Sequence, residues 1–330
     1  MRSRTHLLIV VLVFACLLAV CQAAPAASPS STAYVLPPGL HELGRLDRGV
    51  AYAVYVQGDL AFVGGNDGVD VIDITDREHP RHTALIEMSE AAFDVVASGD
   101  LVYIAGPVDG LLIADVSDPA APRIIGRAPV GGINNICVFE GRAYAGTQAG
   151  ELHIFNIADP ARPQHLGVYA GRGAGLMISC RQDVVYFSST NAGLEALDVS
   201  DPTAPVRAAA VPGTYGAKDG QLVDDLLFLA CYSSGGRIVD IAEPLRPQVM
   251  ATFNNGGEAW GVGGDRSVLW IGDLHQGVEV YDLSDPASPT LIARDADYAP
   301  HDVFFDGTYA YLADQDHGFI ILLYNQTPQP

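Results

Sequence analysis

Two dipeptides in this chain set a nitrogen base beside an acid. Lys218, the only lysine, precedes Asp219, and His301 precedes Asp302. An amine or imidazole next to a carboxylate can pass protons to and from a bound substrate. A second group mixes imidazoles with carboxylates in short loops: Asp273 with His275, and Asp314 with Asp316 and His317. Those side chains are the donors a divalent metal would use, and such an ion is the one cofactor the sequence suggests. "DQDHG" (residues 314–318) shares only the opening of a calcium loop and lacks the later ligands. The chain has no Gly-x-Ser-x-Gly, no His-Glu-x-x-His and no phosphate-cradling glycine loop. The sialidase-type Asp box and the tryptophan motif of quinone-dependent propellers are missing too.

A third candidate is "DVSDPAAP" (residues 115–122), with two aspartates and two prolines. It has counterparts in "DITDREHP" ending at Pro80, "NIADPARP" at Pro163, "DVSDPTAP" at Pro205, "DIAEPLRP" at Pro247 and "DLSDPASP" at Pro289. The closing prolines are 42, 41, 42, 42 and 42 residues apart. Chemistry needs one constellation, so six copies at a fixed period point to construction. Asp118 can accept hydrogen bonds from N–H groups just ahead, as in an Asx turn. Pro119 fixes φ near roughly −65°, which suits a type I turn, and Pro122 lets the chain leave extended. Asp115, at a strand end, can reach the same loop.

The elements that carry these residues obey the same period. Each corner is preceded by an apolar run such as "GLLIADV" (110–116), and that by an aromatic-centred run. The aromatic run occurs seven times, around Phe62, Tyr103, Tyr144, Tyr186, Phe228, Trp270 and Tyr311. A further short run, such as "FDVVASG" (93–99), precedes each. These segments are rich in Val, Ile, Tyr and Phe and bounded by Gly, Asp and Pro, so they read as strands. Four strands per repeat make an all-β chain, a seven-bladed β-propeller. The last copy ends after "GFIILLYN" (318–325) without its outer strand. "PGLHELGRL" (38–46) matches the missing piece, so Leu40–Leu46 is expected to close the seventh blade.

"LVYIA" followed by "GLLIADVSDP" and a second proline resembles the LVIVD repeat, over roughly residues 37–328. The resemblance implies a propeller of the kind found in exported and surface proteins of bacteria and archaea. It brings no catalytic residue with it. Asn156 and Glu243 depart from the motif and the seventh corner is absent, which suits a structural turn that tolerates variation.

The formal net charge is −21 and no basic run exists beyond the first few residues, so a phosphate backbone or an anionic membrane would be repelled and no nucleic-acid partner is expected. "MRSRTH" and a fourteen-residue apolar stretch (7–20) read as a signal peptide over 1–23 cleaved after Ala23, with a flexible linker over 24–36. Lipid attachment at Cys21 and a retained anchor are the alternatives. The mature chain, without a transmembrane domain, is expected to be extracellular, periplasmic or at the cell surface, and monomeric. Cys137, Cys180 and Cys231 lie in apolar runs and read as buried thiols with no disulfide framework.

If the strands run from the centre outward, the corners occupy one face of the ring. The starts of the inner strands and the loops after the aromatic strands occupy the other. Aligned on the aromatic element, the inner strands place Tyr52, Phe93, Asn134, Leu176, Lys218, Trp260 and His301 in one row at the channel mouth. Ala53, Asp94, Asn135, Met177, Asp219, Gly261 and Asp302 form the next. These positions differ from blade to blade on a constant scaffold, which is where function concentrates. The ligand-binding candidates are therefore Tyr52, Phe93, Asp94, Asn134, Asn135, Lys218, Asp219, Trp260, His301 and Asp302. The expected role is a binding or interaction module for a protein, glycan or small ligand. A hydrolase or lyase using His301, Asp302, Lys218 and Asp219, or a metal, is the alternative. A purely structural surface protein is the third reading.

Overall fold

The computed structural model describes residues 39–253 and 256–324. The expected signal peptide, Cys21 and the linker lie outside the described residues. Among the described residues, the regular elements are 28 strands in seven four-stranded antiparallel sheets, the blades of one ring. Blades 1 to 6 each use four consecutive strands. Blade 7 combines the last three strands with Leu40–Leu46 as its outermost member, paired from Leu40 opposite Tyr324 to Leu46 opposite Phe319. The closing strand anticipated from the sequence thus has the expected bounds.

The inner strands line the centre: Ala51–Gln57, Asp94–Ser98, Ile133–Phe139, Gly175–Arg181, Asp219–Val223, Ala259–Gly264 and Pro300–Phe305. The second and third strands are buried along most of their length, because both faces of each blade meet a neighbour. The core is accordingly divided into seven apolar layers, one between each pair of blades. The seven repeated aromatics all sit within these layers, Phe62, Tyr144, Tyr186, Phe228, Trp270 and Tyr311 with no exposed surface.

The corners are turns held by carboxylates. In the second blade, Asp115 Oδ1 accepts from the N–H of Ser117 at 2.9 Å and Asp118 Oδ1 from that of Ala120 at 3.1 Å. Ala121 N–H then donates to the Asp118 carbonyl. Asn156 serves where an aspartate is replaced, accepting from Ala158 N–H. The corners of blades 1 and 3 pack on the outer strand of the preceding blade. A Cβ on Gly126 would overlap the Pro160 carbonyl oxygen, and one on Gly44 the Arg77 carbonyl, so these positions admit only glycine.

One expectation is corrected. Cys137 and Cys180 are not thiols but form a disulfide between the inner strands of blades 3 and 4, with Cα atoms 6.0 Å apart. Their separation of 43 residues is one repeat plus one. The extra residue turns Cys180 to the opposite side of its strand, where it meets Cys137 across the blade interface. Cys231 is a buried free thiol, as expected.

Candidate functional site

The inner strands begin at the channel mouth, opposite the corners, and deliver one side chain of the first row from each blade. Five blades contribute a continuous arc. Phe93 lies edge-on to Tyr52 with ring centres 5.5 Å apart, and Tyr52 is 5.5 Å from His301. His301 is 5.4 Å from Trp260, and Trp260 is 6.0 Å from Tyr232. Lys218 Nζ sits 4.6 Å from the Trp260 ring centre and 5.5 Å from that of Tyr232. The members of the arc are half-buried, so each keeps a side toward the channel mouth. The remaining first-row residues, Asn134 and Leu176, break the aromatic run. The Asn134 amide donates to the Gly175 carbonyl of the next blade at 3.2 Å.

The electrostatics of the arc are set by burial. Desolvation pushes the Lys218 ammonium below its usual range, against a pull upward from Glu258. Among the described residues Lys218 has no ion-pair partner. Burial also lowers His301, so its ring is held toward the neutral form. A hydrogen bond to Glu258 and burial raise the Tyr232 hydroxyl to about 12. The Tyr52 hydroxyl donates to Asn66 Oδ1 at 3.0 Å.

The second row does something different. Asp94 accepts from its neighbour Val95 N–H and from Ile136 N–H on the next blade, each at 2.8 Å. Asp219 does the same with Gly220 at 2.7 Å and Val262 at 2.8 Å. Asp302 repeats it with Val303 at 2.7 Å and Val54 at 2.8 Å, across the junction between blades 7 and 1. Each carboxylate is a clamp between adjacent inner strands, with both oxygens taken up by backbone N–H groups. Although these residues keep some accessible surface, their carboxyl groups lie deep in the ring. Burial raises Asp94 to about 8 and Asp302 to about 6, and burial together with Asp302 raises Asp219. The neighbouring Asn135 keeps its side-chain oxygen buried with no partner among the described residues.

This arrangement bears on the acid–base reading. Lys218 points into rings, Asp219 into backbone, and Trp260 stands between Lys218 and His301. The two dipeptides are therefore not assembled as proton-transfer pairs. The loop residues are also apart in role. Asp273 Oδ1 accepts from His275 and Gln276 N–H at 2.8 Å and caps its turn. Asp314 Oδ1 accepts from Asp316 and His317 N–H at 2.9 Å and lies 3.0 Å from the His317 ring, while Oδ2 accepts from Ala299 N–H at 2.6 Å. Among the described residues no three His, Cys, Asp or Glu side chains are grouped to hold a metal ion.

Tyr232 and Glu258 join the arc although the sequence pattern does not mark them. Tyr232 occupies the left-handed region at φ 47° and bridges to Ala259, a conformation that only the loop's tertiary setting reveals. Its place after strand Leu226–Ala230, in register with the end of the aromatic element, was the available signal.

The fold and its period can be compared with known proteins. A family model described as LVIVD repeat matches residues 48–83, 91–128, 178–211, 256–296 and 300–322, more than half of the chain. The chain belongs to the LVIVD repeat family. The matched LVIVD segments fall in blades 1, 2, 4, 6 and 7, including four of the five that supply the arc. No curated protein sequence matches this LVIVD chain. In shape it is similar to solved propellers. The structure of U3-55K aligns with a TM-score of 0.72 at 7% identity, covering 87% of this chain and 98% of that one. The RRP9 WD40 repeats align at 0.69 and 8%, covering 87% and 98%. The computationally designed Ika8 protein aligns at 0.64 and 10%, covering 86% and 99%. At these identities the likeness concerns the fold. Among the described residues of the LVIVD chain, no helix is long and apolar enough to cross a membrane.

Proposed function

We propose that this LVIVD propeller is an exported binding module that engages its ligand or partner at the channel mouth. The supporting observation is the arc Phe93–Tyr52–His301–Trp260–Tyr232 with Lys218. It gathers half-buried rings and the chain's only lysine where neighbouring blades have no repeated residue to conserve packing. Aromatic faces beside a cation are strong recognition surfaces because they give large contact area at low entropic cost. Export is favoured by the Cys137–Cys180 disulfide, since such bonds persist in oxidising compartments. The resting molecule is taken to be a monomer.

The test compares three immobilised proteins with soluble envelope and medium extracts of the source cells. They are the wild type, the arc variant Tyr52→Ala/Trp260→Ala, and the opposite-face variant Asp118→Ala. Material held by the wild type and Asp118→Ala but released by the arc variant supports the reading. Equal retention by all three, or none above a blank matrix, refutes it.

A further inference from the structure

Lys218 occupies a half-buried site in which no carboxylate of the described residues is close enough to form an ion pair with it. The chain carries a net charge of −21, yet its sole lysine has no carboxylate partner among the described residues. The acids around it are otherwise engaged. Asp219, Asp302 and Asp94 turn their oxygens to backbone N–H groups, and Glu258, whose charge reaches Lys218, forms no ion pair with it. A half-buried ammonium recovers part of its lost hydration from the faces of Trp260 and Tyr232, but rings do not replace a counter-ion. Polar atoms elsewhere on the inner strands are also incomplete. Trp260 Nε1 is a buried donor without an acceptor, and the oxygens of Asn134 and Asn135 are buried acceptors without donors, among the described residues. In the arc, the Tyr52 and His301 rings lie at 43° and the Trp260 and His301 rings at 78°. They offer both faces and edges to a flat or ring-shaped group.

We infer that the channel mouth takes a ring-borne carboxylate, with its anion on Lys218 and its ring against the Trp260–His301–Tyr52 arc. This rests on the reading of the mouth as a binding site. The ring can be a saturated sugar acid that packs against the aromatic faces, or an aromatic acid that stacks. Both share one recognition chemistry: a charge-assisted contact to the ammonium and apolar contact to the rings.

Tryptophan fluorescence provides the assay. The chain has two tryptophans, and Trp270 is fully buried in the layer between blades 6 and 7, so a ligand at the mouth reports through Trp260. The propeller is titrated with galacturonate and its neutral counterpart galactose, and with 4-hydroxybenzoate and its counterpart phenol. One acid is expected to give a saturable change with an affinity at least about tenfold above its neutral counterpart. Which acid does so identifies the source. Lys218→Met should reduce that preference to about unity, while Lys218→Arg should keep most of it, with unchanged melting of both variants reporting intact folding. Equal binding of acid and neutral compound, or a preference that survives in a folded Lys218→Met, overturns the inference. So does the absence of saturation with all four probes. If arc-dependent retention of extract material persists in that last case, only the ligand class is wrong; if both are lost, the binding-site reading falls with it.

Discussion

The Cys137–Cys180 disulfide should contribute measurably to the stability of the ring. It closes a loop of 43 residues between neighbouring inner strands. Loop-closure entropy for that length removes about 13 cal/mol/K from the unfolded chain, or about 4 kcal/mol at 25 °C. A propeller of this size unfolds with an entropy of about 0.6 kcal/mol/K, so the bond should raise the melting temperature by about 6–7 °C. The perturbation is Cys137→Ala/Cys180→Ala in protein spanning residues 37–330, alongside wild type with and without a phosphine reductant. Calorimetry under non-reducing conditions should place the variant and the reduced wild type together, below the oxidised wild type. Thiol titration of the denatured, unreduced wild type should find Cys231 alone. Melting temperatures within about 1 °C of each other would refute the entropic reasoning, and three reactive thiols in protein from an oxidising compartment would refute the bond.

Two further outcomes are expected. Protein beginning at Asp47 lacks the strand that buries Leu40 completely and Leu43 and Leu46 in part, so it should lose at least about 4 kcal/mol and melt well below the longer chain; equal melting would remove the closing role of that strand. Burial lifts the Asp94 carboxyl to about 8, above the unfolded value of about 3.9. Its contribution is then fully present below the unfolded value and lost as pH rises through about 8, so thermal stability should decline from about pH 4 to pH 9. Asp94→Asn should flatten part of that decline, and an unchanged slope would contradict the assignment.

Much of the architecture was readable because it is local and repeated. "DVSDPAAP" specifies its turn through its own Asp and Pro residues, and its copies supply the register for every strand. Leu40–Leu46 was recognisable as an outer strand by its likeness to the segments that leave the corners, such as Arg123–Ala128. The same register placed Tyr52, Lys218, Trp260 and His301 at the mouth, where they lie. The unreadable part depends on contacts between blades. Asp94, Asp219 and Asp302 look like free acids in sequence, and only the neighbouring strand's N–H groups show them to be clamps. Cys137 and Cys180 differ by one residue in register, which hides a pair that alternation brings face to face. Tyr232 enters the arc through a left-handed backbone that no residue type announces.

The position of Leu40–Leu46 fixes an order of events in biosynthesis. This strand is the first of the propeller's strands to be made, yet its partner Gly318–Tyr324 is the last of them. Until then the early strand has no ladder to join, and a chain released early would expose the long apolar edge of its final sheet. The ring therefore commits to its closed form only after its last strand has been made, a contact of very high sequence separation that makes closure a late and slow step. It also means that two incomplete rings hold complementary ends. Crowded folding intermediates would be drawn to exchange first strands, giving a dimer joined through blade 7, and rapid, dilute folding would favour the single ring.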